Sequence, residues 1–371
     1  MDCFSQFASQ PLGWNHPKVL EHKEALGREA VHKIANSDMA SQTFADFTEA
    51  FASITQDFSY LFFIDGGGLA VENALKTAFD WKHQRDGVET QKMNVIHLNE
   101  AFHGRTGYTM SLTNSSASDY KVKYFPKFDW TRVHNPAIHW TKDQDIVAKE
   151  AESLIQMREA LELGNVAAII LEPIQGEGGD NHFRKEYLQA VRKLADDHNA
   201  LLIFDEVQTG LGLTGEMWAY EHFVKPDIIS FGKKSQVCGI AVSDRIDDVP
   251  DNVFHAPWRI NSTWGGNNVD MLRSKILIDV IKEDSLVDNA HHVGSYFLEQ
   301  LQEMNLDNAR GRGLMLAFDL PSADERDSLL SRLSDRMLAL SCGERSVRFR
   351  PHLTFSREDV DAAIGFLKES I

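Results

Sequence analysis

Two short apolar runs deliver charged residues to what reads as one edge of a sheet. Leu201 to Phe204 is followed by Asp205-Glu206-Val207-Gln208, and Ile228 to Phe231 is followed by Gly232-Lys233-Lys234. Runs of this length and composition are typical of buried parallel strands, and open α/β sheets bind ligands beyond the C-terminal ends of such strands. An acid at one strand end and a lysine at a nearby one suit pyridoxal phosphate. The carboxylate can keep the pyridine nitrogen protonated so that the ring withdraws electrons, and the lysine can form a Schiff base. The competing explanation is a surface acid and a surface lysine after two ordinary strands, and the pair alone does not decide between them.

Other stretches place further chemistry near the same edge. Tyr60–Ile64 reads as a strand, and Asp65-Gly66-Gly67-Gly68 turns it into a helix whose apolar face is Val71, Ala74, Leu75, Ala78 and Phe79. Glycines between a strand and a helix leave backbone N–H groups pointing outward at the positive end of the helix dipole, which suits a phosphate. Val166–Leu171 is a strand that ends in Glu172-Pro173-Ile174-Gln175-Gly176-Glu177-Gly178-Gly179, a polar, glycine-rich turn carrying two acids.

The elements that position these residues alternate from 60 to 243, with Val95–Leu98 as a further strand and Glu150–Leu163 and Lys185–Asn199 as helices. This alternation predicts an α/β protein with a doubly wound, mostly parallel sheet. Residues 17–57 read as interrupted helix, and 115–145 as loop with short elements. Beyond Lys233, residues 271–304 read as long helix, 309–320 as turn and strand, 325–340 as helix, 347–351 as a strand end and 359–370 as a closing helix. This last block has the composition of a smaller α+β domain. The expected division is an N-terminal segment 1–38, a large domain 39–270 and a small domain 271–371.

The bulk properties narrow the function classes. The chain has 371 residues, a formal charge of −17 and 43% hydrophobic residues, which is ordinary globular composition. The negative charge argues against nucleic acid or an anionic membrane as partner. No run of about 18 apolar residues exists, so no membrane span is expected. Cys3, Cys238 and Cys342 have no short spacing, which predicts neither a disulfide framework nor a metal site. A reducing cytoplasm fits this composition.

The spacing Phe-Asp-Glu-Val, Gly, Pro-Asp-Ile, Gly-Lys resembles the signature of class III (ornithine/GABA-type) pyridoxal-phosphate aminotransferases. The stretches QTGLGLTG, FGKKSQVCG and RINSTWGGN are closest to the lysine 6-aminotransferase branch. The resemblance covers nearly the whole chain. It implies the type I, aspartate aminotransferase-like fold and places the Schiff base on Lys233, leaving Lys234 a structural lysine. It also implies that Asp205 pairs with the pyridine nitrogen, that Gly67 and Gly68 cradle the phosphate, and that Phe102 of the Ala-Phe-His-Gly motif and Val207 flank the ring. Gln208 would meet the cofactor or keto acid, and Thr263 would reach across a homodimer to the partner's phosphate, although a helix-capping role explains a threonine there equally well. Arg105 and Asn261 would bind substrate, Arg105 through its carboxylate.

The reaction so implied moves the ε-amino group of L-lysine to 2-oxoglutarate. Alternatives are another ω-amine (ornithine, 4-aminobutyrate or diaminobutyrate), an aminomutase, or an inactive truncated homologue. Truncation enters because Met1 is followed at once by residues that read like the inside of a domain. Arg348, with Arg350 as its rival, is expected to take the α-carboxylate of 2-oxoglutarate. Glu177, freed by its flanking glycines, is expected to pair with that arginine when lysine is bound.

Overall fold

The computed structural model describes residues 1–115, 118–142 and 145–371. Its larger sheet contains β1 (Tyr60–Ile64), β2 (Asn94–Leu98), β3 (Arg132–Val133), β4 (Val166–Leu171), β5 (Leu201–Asp205), β6 (Ile228–Phe231) and β7 (Cys238–Val242). Their spatial order among the described residues is β1-β7-β6-β5-β4-β2-β3. The pairs β2–β3, β2–β4, β4–β5 and β5–β6 are parallel, while β7 runs antiparallel to both β1 and β6. With β7 reversed, β1 points the same way as the parallel strands. The C-terminal ends of β1, β2, β4, β5 and β6 therefore meet on one edge, joined there by the N-terminal end of β7.

The apolar runs are continuous because both faces of this sheet are covered. Along β5, Leu201 and Ile203 pack with the helix Gly67–Asp86 through Val71, Leu75 and Trp81. Leu202 and Phe204 face the opposite cluster, with Phe51, Leu188 and Val191. Such alternation is the two-residue period of a strand, and full burial of each side chain contributes about 1.5–3 kcal/mol. Shifting the register by one residue would exchange the two clusters, which fixes where Asp205 emerges.

The second sheet has the order β10-β11-β9-β8, all antiparallel, built from β8 (Asp307–Arg312), β9 (Met315–Asp319), β10 (Leu340–Cys342) and β11 (Ser346–Phe349). Several boundaries differ from the sequence expectation. The helix expected over 271–304 is two helices, Asn268–Glu283 and Leu286–Glu303. They part at Ser285, whose φ is 51°. The expected turn and strand at 309–320 is the β8–β9 hairpin, and the helix expected over 325–340 spans Ala323–Leu333 and gives way to β10. The helix expected from 150 begins at Ile146, capped by Asp145, whose side chain accepts from Ala148 N at 3.0 Å. Of the stretch 115–145, the pairs 116–117 and 143–144 lie outside the described residues; the rest holds the short helix Ser118–Val122 and β3. Among the described residues, no helix is long and apolar enough to cross a membrane.

Candidate active site

Asp205 ends β5, buried, and accepts three hydrogen bonds. His103 Nδ1 lies 2.8 Å from its Oδ2, while Ser230 Oγ and the Val207 amide donate to its Oδ1, each at 3.1 Å. A carboxylate can only accept, so the His103 proton sits on Nδ1 and the ring is held in one orientation. His103 Nε2 is buried, with no partner among the described residues. The next residue, Glu206, serves the scaffold instead. It accepts from Thr209 Oγ1 and from the amides of Ala219 and Tyr220, tying down the turn that follows.

Glu172 follows β4 directly and accepts from the amides of Phe102, at 3.0 Å, and Gly176, at 2.9 Å. Burial pushes its carboxyl up to about 7, against the opposing pull of His103. Lys233 follows β6 by two positions. Burial lowers its ammonium to about 8, and Arg348 reinforces that shift. A lysine so placed is a competent base near neutral pH. Its neighbour Lys234 turns away into the protein and donates to the Ala8 carbonyl at 2.9 Å, and burial holds it well below the ordinary lysine range.

The helix Gly67–Asp86 begins at this edge without a side-chain cap, so its first amides are not taken up by a capping side chain. A Cβ at Gly67 would lie 2.9 Å from Val207 Cγ1, and one at Gly68 would lie 3.2 Å from Thr106 Cγ2. Any larger residue at Gly67 would fill the cradle.

These elements enclose a cavity of about 300 Å³. Of the residues singled out in the sequence, Gly67, Gly68, Phe102, Glu177, Asp205, Val207, Gln208 and Lys233 line it. Arg348, on β11, reaches Glu177: its Nη2 donates to Glu177 Oε2 at 2.8 Å. Burial works against ionisation of Glu177, but Arg348 and Lys121 outweigh it and hold the carboxyl below its usual range. Arg350, the expected rival, lies past the end of β11. It pairs with Asp180 and donates to Gln208 Oε1 at 3.1 and 3.2 Å, so it buttresses the cavity wall.

Four expected site residues, Arg348, Arg105, Asn261 and Thr263, are not among those lining the cavity. Arg105, Asn261 and Thr263 are exposed, although the Arg105 guanidinium lies 6.0 Å from the centre of the Phe102 ring. Thr263 does not cap the helix after it; Asn267 does, accepting from Val269 N. Conversely, His103, Cys238 and Lys121 escaped the sequence reading. The first two line the cavity, and the Lys121 Nζ lies 3.0 Å from Glu177 Oε1. The Phe-His-Gly motif was the one available signal for His103.

The glycines flanking Glu177 also leave no room for a side chain of their own. A Cβ at Gly178 would lie 1.9 Å from the Glu100 carbonyl oxygen, and one at Gly176 would lie 2.1 Å from Gln208 Oε1. They permit close packing of the turn that carries Glu177.

An uncapped helix start behind a glycine cradle, a histidine-backed buried acid and a lysine with a lowered pKa together fit pyridoxal phosphate. The comparisons agree. The family model described as "Aminotransferase class-III" matches residues 1–371. The chain is 46% identical to the L-lysine-epsilon aminotransferase of Mycobacterium tuberculosis, over 100% of this chain and 87% of that protein. It is 45% identical to the L-lysine-epsilon aminotransferase of Streptomyces clavuligerus, over 100% and 86%. The solved lysine aminotransferase from M. tuberculosis superposes with a TM-score of 0.96 at 46% identity, covering 100% of this chain and 89% of that one. The ornithine aminotransferase from Toxoplasma gondii superposes at 0.83 with 27% identity, over 100% and 85%. With its cofactor cradle, its acid and its lysine at one sheet edge, the chain belongs to the class III aminotransferases, enzymes of the type I fold that work with pyridoxal phosphate.

Proposed function

We propose that this protein transfers the terminal amino group of L-lysine to 2-oxoglutarate, giving glutamate and 2-aminoadipate 6-semialdehyde. The observation that carries this reading is Arg348. It is 2% exposed, gives one N–H to Glu177, and has no partner among the described residues for Nε and Nη1. A buried guanidinium with unused donors next to a carboxylate that neutralises it suits a pocket that takes two kinds of substrate in turn. The reacting ε-carbon of lysine carries no carboxylate, so Arg348 keeps Glu177. 2-Oxoglutarate brings an α-carboxylate beside its reacting carbon, which takes the guanidinium in a bidentate contact. The choice of lysine among ω-amines rests on the names of the relatives at 44–46% identity.

The cofactor, when bound, supplies an aldehyde that condenses with amines and a ring that accepts the electrons released at the reacting carbon. Asp205 would hold the proton of the ring nitrogen, kept in register by His103. The amides at Gly67 and Gly68 would hold the phosphate, with Phe102 and Val207 flanking the ring and Gln208 beside it. Lys233 Nζ would take the proton from the donor carbon and deliver it to the opposite side of the exchange. Arg105 and Asn261 would hold the distal carboxylate of the substrate. Thr263 would complete the phosphate site of a second protomer in a homodimer working in the cytoplasm.

A donor screen tests the reading. L-Lysine, L-ornithine, 4-aminobutyrate and 2,4-diaminobutyrate are each supplied with 2-oxoglutarate, and glutamate is measured. Lysine should give the highest kcat/KM; a higher value for any other donor overturns the assignment.

A further inference from the structure

Glu177 is held by two cations, one on each carboxylate oxygen. Its Oε2 accepts from Arg348 Nη2 at 2.8 Å, and its Oε1 accepts from Lys121 Nζ at 3.0 Å. The two cations differ in setting. The Arg348 side chain is 2% exposed, whereas those of Lys121 and Glu177 are 25% and 27% exposed. Lys121 belongs to the short helix Ser118–Val122, and its Nζ also lies 5.7 Å from the centre of the Phe102 ring. The carboxylate therefore bridges a buried arginine to a partly exposed lysine.

We propose that Lys121 is the second resting place of Glu177, a positioning residue that favours the carboxylate-bearing substrate. The inference rests on the exchange at Arg348 proposed above. When a substrate carboxylate occupies Arg348, Glu177 must give up that contact. With no other cation in reach it would remain beside a like charge, in a half-buried place where water screens it poorly. Lys121 already holds the other oxygen, so releasing Arg348 leaves one ion pair intact. Gly176 and Gly178 pack closely against Gln208 and Glu100, and the carboxylate changes partner by turning its own side chain. In the lysine-bound state Glu177 has both cations, and losing Lys121 leaves it Arg348. In the keto-acid state Lys121 is the one cation that it keeps among the described residues. Removal of Lys121 therefore penalises the second state more than the first.

The test uses the holoenzyme in five forms: wild type, Lys121→Met, Lys121→Arg, Glu177→Ala and the Lys121→Met/Glu177→Ala double variant. Single-turnover kinetics give kcat/KM for the lysine and glutamate half-reactions, and calorimetry gives the affinity for glutarate, a dicarboxylate with no reacting carbon. Lys121→Met should lower the glutamate value about two- to fivefold relative to the lysine value, as expected for loss of a partly screened ion pair. It should weaken glutarate binding by a similar factor. Lys121→Arg should restore both, and Lys121→Met should have no further effect when Glu177 is already alanine. Equal losses in the two half-reactions, unchanged glutarate affinity, or an undiminished Lys121→Met effect without Glu177 would each overturn the proposal. A shifted ratio for Glu177→Ala alone, without one for Lys121→Met, removes the role of Lys121 and leaves the exchange at Arg348 standing. An unshifted ratio for Glu177→Ala removes both.

Discussion

His103 Nδ1 and Asp205 Oδ2 stand 2.8 Å apart across 102 residues of chain, both buried, with the imidazole oriented by the carboxylate that it supports. The acid is thus held from behind as well as by Ser230 and by the Val207 amide.

Asp205→Asn preserves shape and removes charge. Turnover should fall at least about a hundredfold, the scale of losing one preorganised electrostatic contact in an active site. His103→Phe, which leaves Asp205 charged and still held at Oδ1 by Ser230 and the Val207 amide but without a partner at Oδ2, should cost less, about tenfold. Steady-state kinetics on both variants checks the order; a larger loss for His103→Phe contradicts it.

Lys233 carries the pH signature. An amine reacts only when neutral, and the neutral fraction grows as pH rises through its pKa. Burial and Arg348 bring that value from 10.5 to about 8, so the reactive form is present at lower pH than for a solvent lysine. In cofactor-free protein, acylation of Lys233 followed by peptide mapping should rise to a midpoint near pH 8. Borohydride reduction of the holoenzyme should leave the pyridoxyl group on Lys233, and finding it on Lys234 would refute the assignment.

Glu177→Ala and Arg348→Ala should separate the half-reactions. Without Glu177, lysine meets an uncompensated buried guanidinium, so its half-reaction should be slowed at least about tenfold more than that of glutamate. Arg348→Ala should chiefly impair glutamate and 2-oxoglutarate. Equal losses in both half-reactions for Glu177→Ala would leave it a structural residue.

Asp180→Ala tests the buttress. Asp180 and Arg350 are 0% and 1% exposed, and Arg350 Nη1 donates to Asp180 Oδ2 at 2.9 Å. Removing the acid strands a buried charge, which costs about 3–5 kcal/mol. Denaturant unfolding should show a loss of that size; a change under about 1 kcal/mol would mean that the arginine finds another partner.

Thr263→Ala should weaken pyridoxal phosphate retention without altering the unfolding midpoint of the cofactor-free protein, since the side chain is exposed in a single chain. Activity should follow the dimer fraction on dilution. Full activity in a monomeric fraction would exclude a cross-subunit site.

Five strands of the larger sheet, β1, β2, β4, β5 and β6, were legible in the sequence as short, mostly apolar runs, and Leu201–Phe204 alternates between two clusters without a polar residue; β3 and β7 were not singled out. Lys233 was separated from Lys234 by motif position; in the fold Lys233 lines the cavity, whereas Lys234 donates to the Ala8 carbonyl. What stayed hidden depended on contacts distant in sequence. Nothing local to His103 announces Asp205, and nothing local to Arg350 announces Asp180, 170 residues away. The break at Ser285 was missed because it rests on one left-handed residue in a stretch that otherwise keeps a helical pattern. Lys121 sits in a stretch with no clean period, so its ion pair with Glu177 had no signal.

The closely packed glycines beside Glu177 have a consequence for speed. A loop or lid that had to open between substrates would move on microsecond to millisecond scales and could gate turnover, whereas rotation of one half-exposed side chain is faster by orders of magnitude. Against turnover numbers of typically about 10 per second, the proposed change of partner at Glu177 would stay at equilibrium. Solvent viscosity should therefore leave the alternation between donor and acceptor untouched, and discrimination between the two substrates becomes a matter of populations alone.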